Sequence, residues 1–376
     1  MAFLLGMFVD KPEFVTVLND KQVEAGSNVI LRCEVNTTQV TVMWKKNSQK
    51  LDCVEGKHKI RLIGKLCCLE IQRVEDVDEG SYTVEVSNKL GSVSCSAMVT
   101  VAINKWREIP RNSAEMVRSL RSYQVCDGVS ELRFLLHGPI GAGKSSVINT
   151  IKTIFENRPF VNCLAGESGE SVTLYYEKFT IGSERSGRLP FAFYDVMGLE
   201  EGQTRGAHTD DIIKALKGHI PNNYKFQAYP ITEDNRYYIT APTLNDRIHC
   251  LVSVLPADKI TLMENAVIEK MKCIRKAATE LGIPQMVFMT RVDKVCKMTK
   301  DDMSKVYQSK KIKEKMQECS NRLGVPMNCI FPVETYHEQN QLNEHINCLI
   351  LDALTQIVFW ANDYAEKCSG NQNRVE

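Results

Sequence analysis

The chain has 376 residues and a nearly balanced charge, with 47 lysines and arginines against 46 aspartates and glutamates. This length indicates two or three domains, each with a core that needs no disulfide or metal. Because the net charge is only +1, the sequence gives no reason to expect a nucleic-acid partner. The 14 cysteines are scattered without a C-x-x-C pair or a metal-ligand spacing, which favours free thiols.

Hydropathy along the chain does not predict membrane insertion. The apolar residues 1–9 lack a basic leader and are too short to cross a bilayer, and no later apolar run reaches membrane-spanning length. The polar tail 367–376 is predicted to be flexible. We therefore expect a cytoplasmic protein without a membrane span.

Residues 10–103 show short alternating runs separated by turn residues, which predicts an all-β domain. Cys33, Trp44 and Tyr82 have the spacing of an immunoglobulin-like sandwich, with Tyr82 following an Asp-Glu-Gly-Ser turn. Val84 stands where the second half of the inter-sheet disulfide is expected, so Cys33 lacks its usual partner, as suits a reducing compartment. A domain of this type predicts a protein partner rather than chemistry of its own.

Residues 104–125 are predicted to form a linker and a leading helix, and residues 126–366 an α/β domain. In the latter, a hairpin precedes strands that alternate with helices, which favours a mostly parallel sheet. Beyond the hairpin the expected strands are 248–255, 285–290 and 329–333, and the expected helices are 260–281, 301–323 and 343–365.

A segment between the first strand and helix of this domain has the spacing G-x-x-x-x-G-K-S. Its residues are Gly138, Pro139, Ile140, Gly141, Ala142, Gly143, Lys144 and Ser145, with Ser146 next in the helix. Glycines let the backbone N–H groups turn inward, and the helix adds the positive end of its dipole. The pattern predicts a phosphate-binding loop in which Lys144 contacts the β- and γ-phosphates and Ser145 ligates Mg²⁺. A glycine-rich turn that matches by chance is the alternative.

Asp195-Val196-Met197-Gly198 follows the second strand of the hairpin. Asp195 is expected to bind Mg²⁺ through a water, and the N–H of Gly198 to contact the γ-phosphate. A third metal ligand is expected before the hairpin, where Thr173 is preferred. Ser168 and Ser171 are its alternatives.

Thr290-Arg291-Val292-Asp293 ends a predicted strand and is similar to the guanine-specificity motif, with arginine in place of its usual lysine. The carboxylate of Asp293 can accept both N–H donors of a guanine edge, while the stem of Arg291 lies along the base. GTP is therefore favoured over ATP, so residues 126–366 are predicted to be a P-loop GTP-binding domain. A helix cap is the alternative role of Asp293. Residues 332–336 lie where a loop supporting the base is expected, without its usual small residues.

Leu199 stands where small G proteins carry the glutamine that orients the attacking water, which predicts slow hydrolysis. Self-association across the nucleotide face could accelerate it. Polar residues that could substitute for the glutamine are Glu200, Glu201 and Gln203, and the arginines considered as fingers are Arg185, Arg188 and Arg205. Surface charge is the alternative role of these arginines.

Several segments together resemble the interferon-induced protein 44 and 44-like family: residues 135–146, 189–191 with 195–199, 246–250 and 290–293. The resemblance implies a cytoplasmic, interferon-induced protein of innate antiviral defence that binds GTP or GDP with Mg²⁺. Mammalian members have another N-terminal domain, so partners that depend on it do not carry over. An immune adaptor that binds its partner through the immunoglobulin-like domain is the alternative function.

Overall fold

A computed structural model describes residues 10–159, 175–182, 187–200, 202, 207–227, 229–337, 339 and 341–372. The chain divides into two compact units, residues 1–106 with 308–310 and residues 107–307 with 311–376. Among the helices so described, none has the length and apolar character needed to span a membrane.

The first unit is built from two β-sheets with alternating inward and outward residues. One sheet has the order β1-β3-β7-β6 and the other the order β2-β9-β8-β4-β5. Most neighbouring strands are antiparallel, and β2 and β9 are parallel. The strands are β1 Phe14–Thr16, β2 Lys21–Glu24, β3 Val29–Val35, β4 Thr41–Lys46, β5 Gln49–Lys50, β6 His58–Ile63, β7 Leu66–Ile71, β8 Gly80–Asn88 and β9 Gly91–Ala102.

The core of this unit contains the residues that the sequence singled out. Cys33, Trp44, Tyr82 and Val84 are all buried between the sheets. The Tyr82 hydroxyl donates a 2.9 Å hydrogen bond to the carbonyl of Asp78, which satisfies a polar group that would otherwise be buried alone. Cys33 is a free thiol, and Val84 packs in the same hydrophobic cluster. The predicted immunoglobulin-like sandwich is therefore confirmed.

The second unit is organised around a seven-stranded sheet of order β13-β11-β12-β10-β14-β15-β16. The five strands from β12 to β16 in this order are parallel. At one edge of the sheet β11 pairs antiparallel with β12, and β13 pairs antiparallel with β11. The strands are β10 Leu132–His137, β11 Tyr175–Thr180, β12 Phe191–Asp195, β13 Tyr224–Lys225, β14 Cys250–Pro256, β15 Gln285–Thr290 and β16 Ile330–Pro332. The predicted α/β class with a mostly parallel sheet is confirmed.

Eight α-helices connect or follow these strands within the described residues. They are α1 Ser113–Arg121, α2 Lys144–Glu156, α3 Thr209–Lys217, α4 Asn265–Glu280, α5 Val292–Val295, α6 Lys297–Asp301, α7 Lys310–Leu323 and α8 Glu344–Gln372. β10 and β14 are buried along nearly their whole length, as expected of central parallel strands.

Three predicted helices differ from those observed. The segment 301–323 is not one helix, because Asp302 accepts hydrogen bonds from the backbone N–H and hydroxyl of Ser304 and starts a separate turn. The segment 260–281 begins with a short 3₁₀ turn before α4. α8 continues to Gln372, into the segment predicted as a flexible tail.

The segment leading into β14 is fastened to β10 by polar side chains. The carboxylate of Asp246 accepts hydrogen bonds from the backbone N–H and hydroxyl of Thr243. His249 is buried, accepts a 3.0 Å hydrogen bond from the backbone N–H of Arg133 and contacts the carbonyl of Leu244. His249 therefore aligns β14 beside β10, and the carboxylate of Asp246 closes the turn that precedes β14.

Candidate functional site

The loop between β10 and α2, residues 138–143, lies at the carboxyl end of the central strand. Gly138 has φ +155° and Gly143 has φ +93°, backbone conformations that side chains rarely adopt. A Cβ at Gly138 would lie 2.2 Å from the carbonyl oxygen of Val254 on β14. Close approach to the sheet therefore requires glycine at this position, and the chain turns sharply into α2.

Two hydrogen bonds hold the conformation of this glycine loop. The N–H of Ala142 donates to the carbonyl of Pro139 at 3.3 Å. The hydroxyl of Thr290, at the end of β15, donates to the carbonyl of Ala142 at 2.7 Å. At Gly141, φ is +69° and a Cβ would have nothing within 4 Å, so this residue borders open space. Ile140 packs against the segment that follows β12.

Lys144 is the first residue of α2 and is only 7% exposed. Its ammonium donates to the carbonyls of Gly138 and Pro139 at 3.4 and 3.3 Å. Burial lowers the pKa of Lys144, and the charge of Asp195 acts in the opposite direction. The first turn of α2 thus holds a buried cation beside inward-curving backbone.

Asp195 ends β12, next to β10 in the sheet, and is buried. Its Oδ2 accepts a 2.7 Å hydrogen bond from the hydroxyl of Ser145. A Cβ at Gly198 would lie 2.5 Å from Cγ1 of Ile140, so the segment after β12 rests directly on the glycine loop. The N–H of Leu199 also donates to the carbonyl of Gly138 at 3.0 Å. The two predicted motifs are therefore joined.

The third predicted motif lies at the end of β15, on the other side of β14. Arg291 has φ +60° and its Nε lies 3.6 Å from Oδ2 of Asp258. Asp293 follows in the short helix α5 and is 9% exposed. The contact of Thr290 with Ala142 connects this motif to the glycine loop, so the three motifs share the carboxyl edge of the parallel sheet.

Some residues of the predicted site cannot be compared with the geometry. Thr173, the preferred third metal ligand, lies outside the described residues, as do its alternatives and several charged residues considered for hydrolysis: Ser168, Ser171, Arg185, Glu201, Gln203 and Arg205. Ser146 lies in the first turn of α2, and Arg188 is exposed. The described part of the site therefore consists of the three motifs between Gly138 and Asp293.

Two features of the site had no signal in the sequence. Leu199 is buried and hydrogen-bonded through its backbone to the glycine loop, and Glu334, after β16, is buried close enough to Asp293 for that charge to raise its pKa. Neither the apolar character of Leu199 nor the single acid in residues 332–336 indicates such a contact. The order of the strands brings these residues to the site.

The donor set fits an anion with an attached hard cation. Backbone N–H groups, a helix amino end and a buried ammonium suit phosphate oxygens, while the hydroxyl of Ser145 and the carboxylate of Asp195 are hard oxygen ligands. Across the described ranges, no group of three or more histidine, cysteine, aspartate or glutamate side chains could hold a metal alone. Mg²⁺ is commonly held by one or two protein groups together with substrate phosphates. These residues fit that arrangement.

The two units define a protein with an immunoglobulin domain followed by an α/β unit whose glycine loop joins a buried acid. The immunoglobulin I-set domain model matches residues 12–101. Mouse interferon-induced protein 44 is 34% identical over 265 residues, which cover 70% of this chain and 62% of that protein. Human interferon-induced protein 44-like is 30% identical over 341 residues, covering 89% and 72%. Human interferon-induced protein 44 is 32% identical over 254 residues, covering 67% and 57%.

The chain belongs to the interferon-induced protein 44 and 44-like family and carries an I-set domain at residues 12–101. It spans less than two thirds of the length of the mouse and human 44 proteins, at 62% and 57%. The Asp-Arg-Ile-His-Cys segment that contributed to the resemblance lies away from the glycine loop, and Asp246 and His249 make the structural contacts described above.

Proposed function

We propose that this chain is an interferon-induced protein that binds GTP and GDP with Mg²⁺. The observation that carries the proposal is the 2.7 Å hydrogen bond between Ser145 and Asp195, because it joins two motifs that are each weak alone. Lys144 and the N–H groups of the glycine loop bind the phosphates. Ser145 and Asp195 hold Mg²⁺, Asp195 through a water, and Thr173 is the third candidate ligand. Bound Mg²⁺ neutralises phosphate charge.

Guanine recognition is assigned to the end of β15. The carboxylate of Asp293 is buried and accepts the N–H donors of the base edge, and Arg291 extends its stem along the base. Thr290 connects this end of the site to the glycine loop, since its hydroxyl donates a hydrogen bond to the carbonyl of Ala142. GTP and GDP are the nucleotides that this acceptor favours over ATP.

Hydrolysis is expected to be slow. Leu199 is apolar, buried and tied by its N–H to the carbonyl of Gly138, so it cannot orient a water through its side chain. Nucleotide-dependent self-association across the site could supply a cation in trans, as arginine fingers do. A rate that rises more than linearly with protein concentration would support that role.

The cellular role follows from the family. Its members are named for induction by interferon, which supports a part in innate antiviral defence. Cytoplasmic localisation is supported by the immunoglobulin core, where Cys33 is a free thiol and Val84 replaces its usual partner.

Binding of fluorescent GTP, GDP and ATP analogues to the full chain with Mg²⁺ tests the nucleotide proposal. We expect guanine-selective binding that Asp293→Ala abolishes and Asp301→Ala leaves intact, since Asp301 is exposed at the end of α6. Equal affinity for ATP would contradict the assigned base selectivity. No binding at micromolar concentration would reject the nucleotide proposal.

An adaptor function is the second candidate, favoured by the I-set match over residues 12–101. In that case the immunoglobulin domain binds a protein partner and the α/β unit is a platform. Lys144→Ala separates the two functions. A nucleotide switch loses partner binding and antiviral activity in this variant, whereas an adaptor keeps both.

A further inference from the structure

Two acidic residues end the last two strands of the parallel sheet. β15 and β16 are neighbours in parallel register, with Met289 opposite Pro332. Asp293 follows β15 and Glu334 follows β16, and each is only 9% exposed. These two residues, the acid pair, lie on the same side of the glycine loop, at the end of the site assigned to the base.

The surroundings of the acid pair do not neutralise both charges. Oε1 of Glu334 accepts a 2.9 Å hydrogen bond from the amide of Gln339. Lys294 lies 3.5 Å from Oδ2 of Asp293 but its side chain is 48% exposed, so solvent weakens that ion pair. Among the described residues, His337 is a further neighbour whose charge lowers the pKa of Glu334. In the described part of the chain, the basic side chains near the two buried carboxylates are therefore Lys294 and His337, and both are exposed.

Burial and then the charge of Asp293 raise the pKa of Glu334, while His337, Gln339 and Lys294 act in the opposite direction. A base bound beside the two acids would remove further water from Glu334. Binding then favours one proton on the pair, and Glu334 is the residue that takes it.

Resting on the proposed function, we propose that the acid pair recognises guanine, with Asp293 accepting from N1–H and N2–H and protonated Glu334 donating to O6. The proton comes from solvent, so each guanine nucleotide binds together with one proton. Adenine is rejected twice, since its N1 has no hydrogen for Asp293 and its amino group faces the Glu334 donor. Glu334 is thereby a specificity-determining residue.

Proton-coupled binding has a measurable signature. Between the pKa of Glu334 in the free protein and its higher pKa in the complex, GDP affinity falls about tenfold per pH unit because one proton is taken up on binding. Glu334→Gln keeps a neutral donor and keeps an acceptor for Gln339, so it lacks this dependence. At a pH above the pKa of Glu334 in the free protein, the variant is expected to bind GDP more tightly than the natural chain, by about tenfold for each pH unit above that pKa.

Calorimetric titration of the full chain with Mg²⁺ and GDP, from about pH 6 to about pH 8, tests the proposal. The natural chain, Glu334→Gln and Glu334→Ala are compared with Glu280→Gln, which neutralises an exposed acid at the end of α4. The phosphates of GDP titrate in the same way with both proteins, so their contribution cancels in the ratio of the affinities of the natural chain and Glu334→Gln. Repeating the titration in buffers of different ionisation enthalpy gives the number of protons taken up per GDP bound. We expect a number near one for the natural chain and near zero for Glu334→Gln.

Each outcome of this titration supports or overturns the role of Glu334 in guanine recognition. Parallel pH profiles in the natural chain and Glu334→Gln, or equal proton uptake, would overturn the role of Glu334 while leaving guanine binding intact. Loss of GDP affinity in Glu334→Ala, restored by Glu334→Gln and absent in Glu280→Gln, supports it. If no variant binds GDP at any pH, the proposed function itself fails and the acid pair with it. Thermal unfolding without nucleotide verifies that each variant is folded.

Discussion

Ser145 donates its hydroxyl hydrogen to Oδ2 of Asp195 at 2.7 Å, which joins the first turn of α2 to the end of β12. The contact is possible because β12 lies beside β10 in parallel register, with Leu136 opposite Asp195. α2 follows β10 through the glycine loop, so the helix begins directly over the end of the neighbouring strand. A hydroxyl and a carboxylate at this junction form one site.

Replacing Ser145 with alanine tests whether this junction holds Mg²⁺. We expect Ser145→Ala to lower the affinity for GTP in the presence of Mg²⁺ by on the order of tenfold or more, and to leave the affinity in EDTA nearly unchanged. Titration with a fluorescent GTP analogue under both conditions measures the difference. Ser119→Ala, at an exposed position of α1, is the control. An equal loss with and without Mg²⁺ would assign Ser145 to the phosphates instead.

Lys144 is expected to oppose stability while it serves binding. Its ammonium is buried and its pKa is lowered by that burial, so the folded protein binds the proton less tightly than the unfolded chain. Stability from this group therefore rises with pH between the lowered pKa and the usual pKa of lysine. Lys144→Met should raise the free energy of unfolding without nucleotide by about 1 kcal/mol and abolish GTP binding.

Denaturant unfolding of Lys144→Met beside Lys276→Met, at an exposed position of α4, measures that stability change. The control should differ little from the natural chain. A destabilised Lys144→Met would mean that the hydrogen bonds of Lys144 to the carbonyls of Gly138 and Pro139 outweigh the burial of its charge.

Local patterns predicted the two folds because the relevant signals are short in sequence. The alternation around Cys33 and Trp44 reports one buried face, and the strand, glycine loop and helix at 132–156 are contiguous. The proximity of Glu334 to Asp293 was not predictable, since it depends on β16 pairing with β15. The break at Asp302 was also missed, because a side-chain turn interrupts an otherwise helical pattern.

Gly138 and Gly141 are expected to respond differently to alanine, although both have positive φ. A Cβ at Gly138 would meet the backbone carbonyl of Val254 at 2.2 Å, and its φ of +155° adds strain, so Gly138→Ala should cost about 3 kcal/mol of folding free energy. Gly141→Ala meets nothing within 4 Å and should cost only about 1 kcal/mol for its φ of +69°. Urea unfolding of both variants measures the difference. Equal costs would show that β14 yields to the added methyl group.

Two buried histidines are expected to make the second unit sensitive to acid. Burial lowers the pKa of His137 to about 3, helped by the charges of Arg275 and Lys144, and burial lowers the pKa of His249 to about 4. The unfolded chain binds protons at these residues below about pH 6.5, whereas the folded chain does not. Stability is therefore complete above that pH and falls by about 1.4 kcal/mol per histidine and pH unit below it.

The variant His137→Gln isolates one of these contributions. A glutamine amide can replace the contact of Nε2 with the hydroxyl of Ser253, which is 2.8 Å in length, but it cannot be protonated in this range. Urea unfolding at several pH values should therefore show a smaller loss of stability per pH unit in acid than in the natural chain. His345→Gln, at an exposed position of α8, should keep the natural slope. An unchanged slope in His137→Gln would mean that His137 is protonated in the folded protein or that other groups control its acid unfolding.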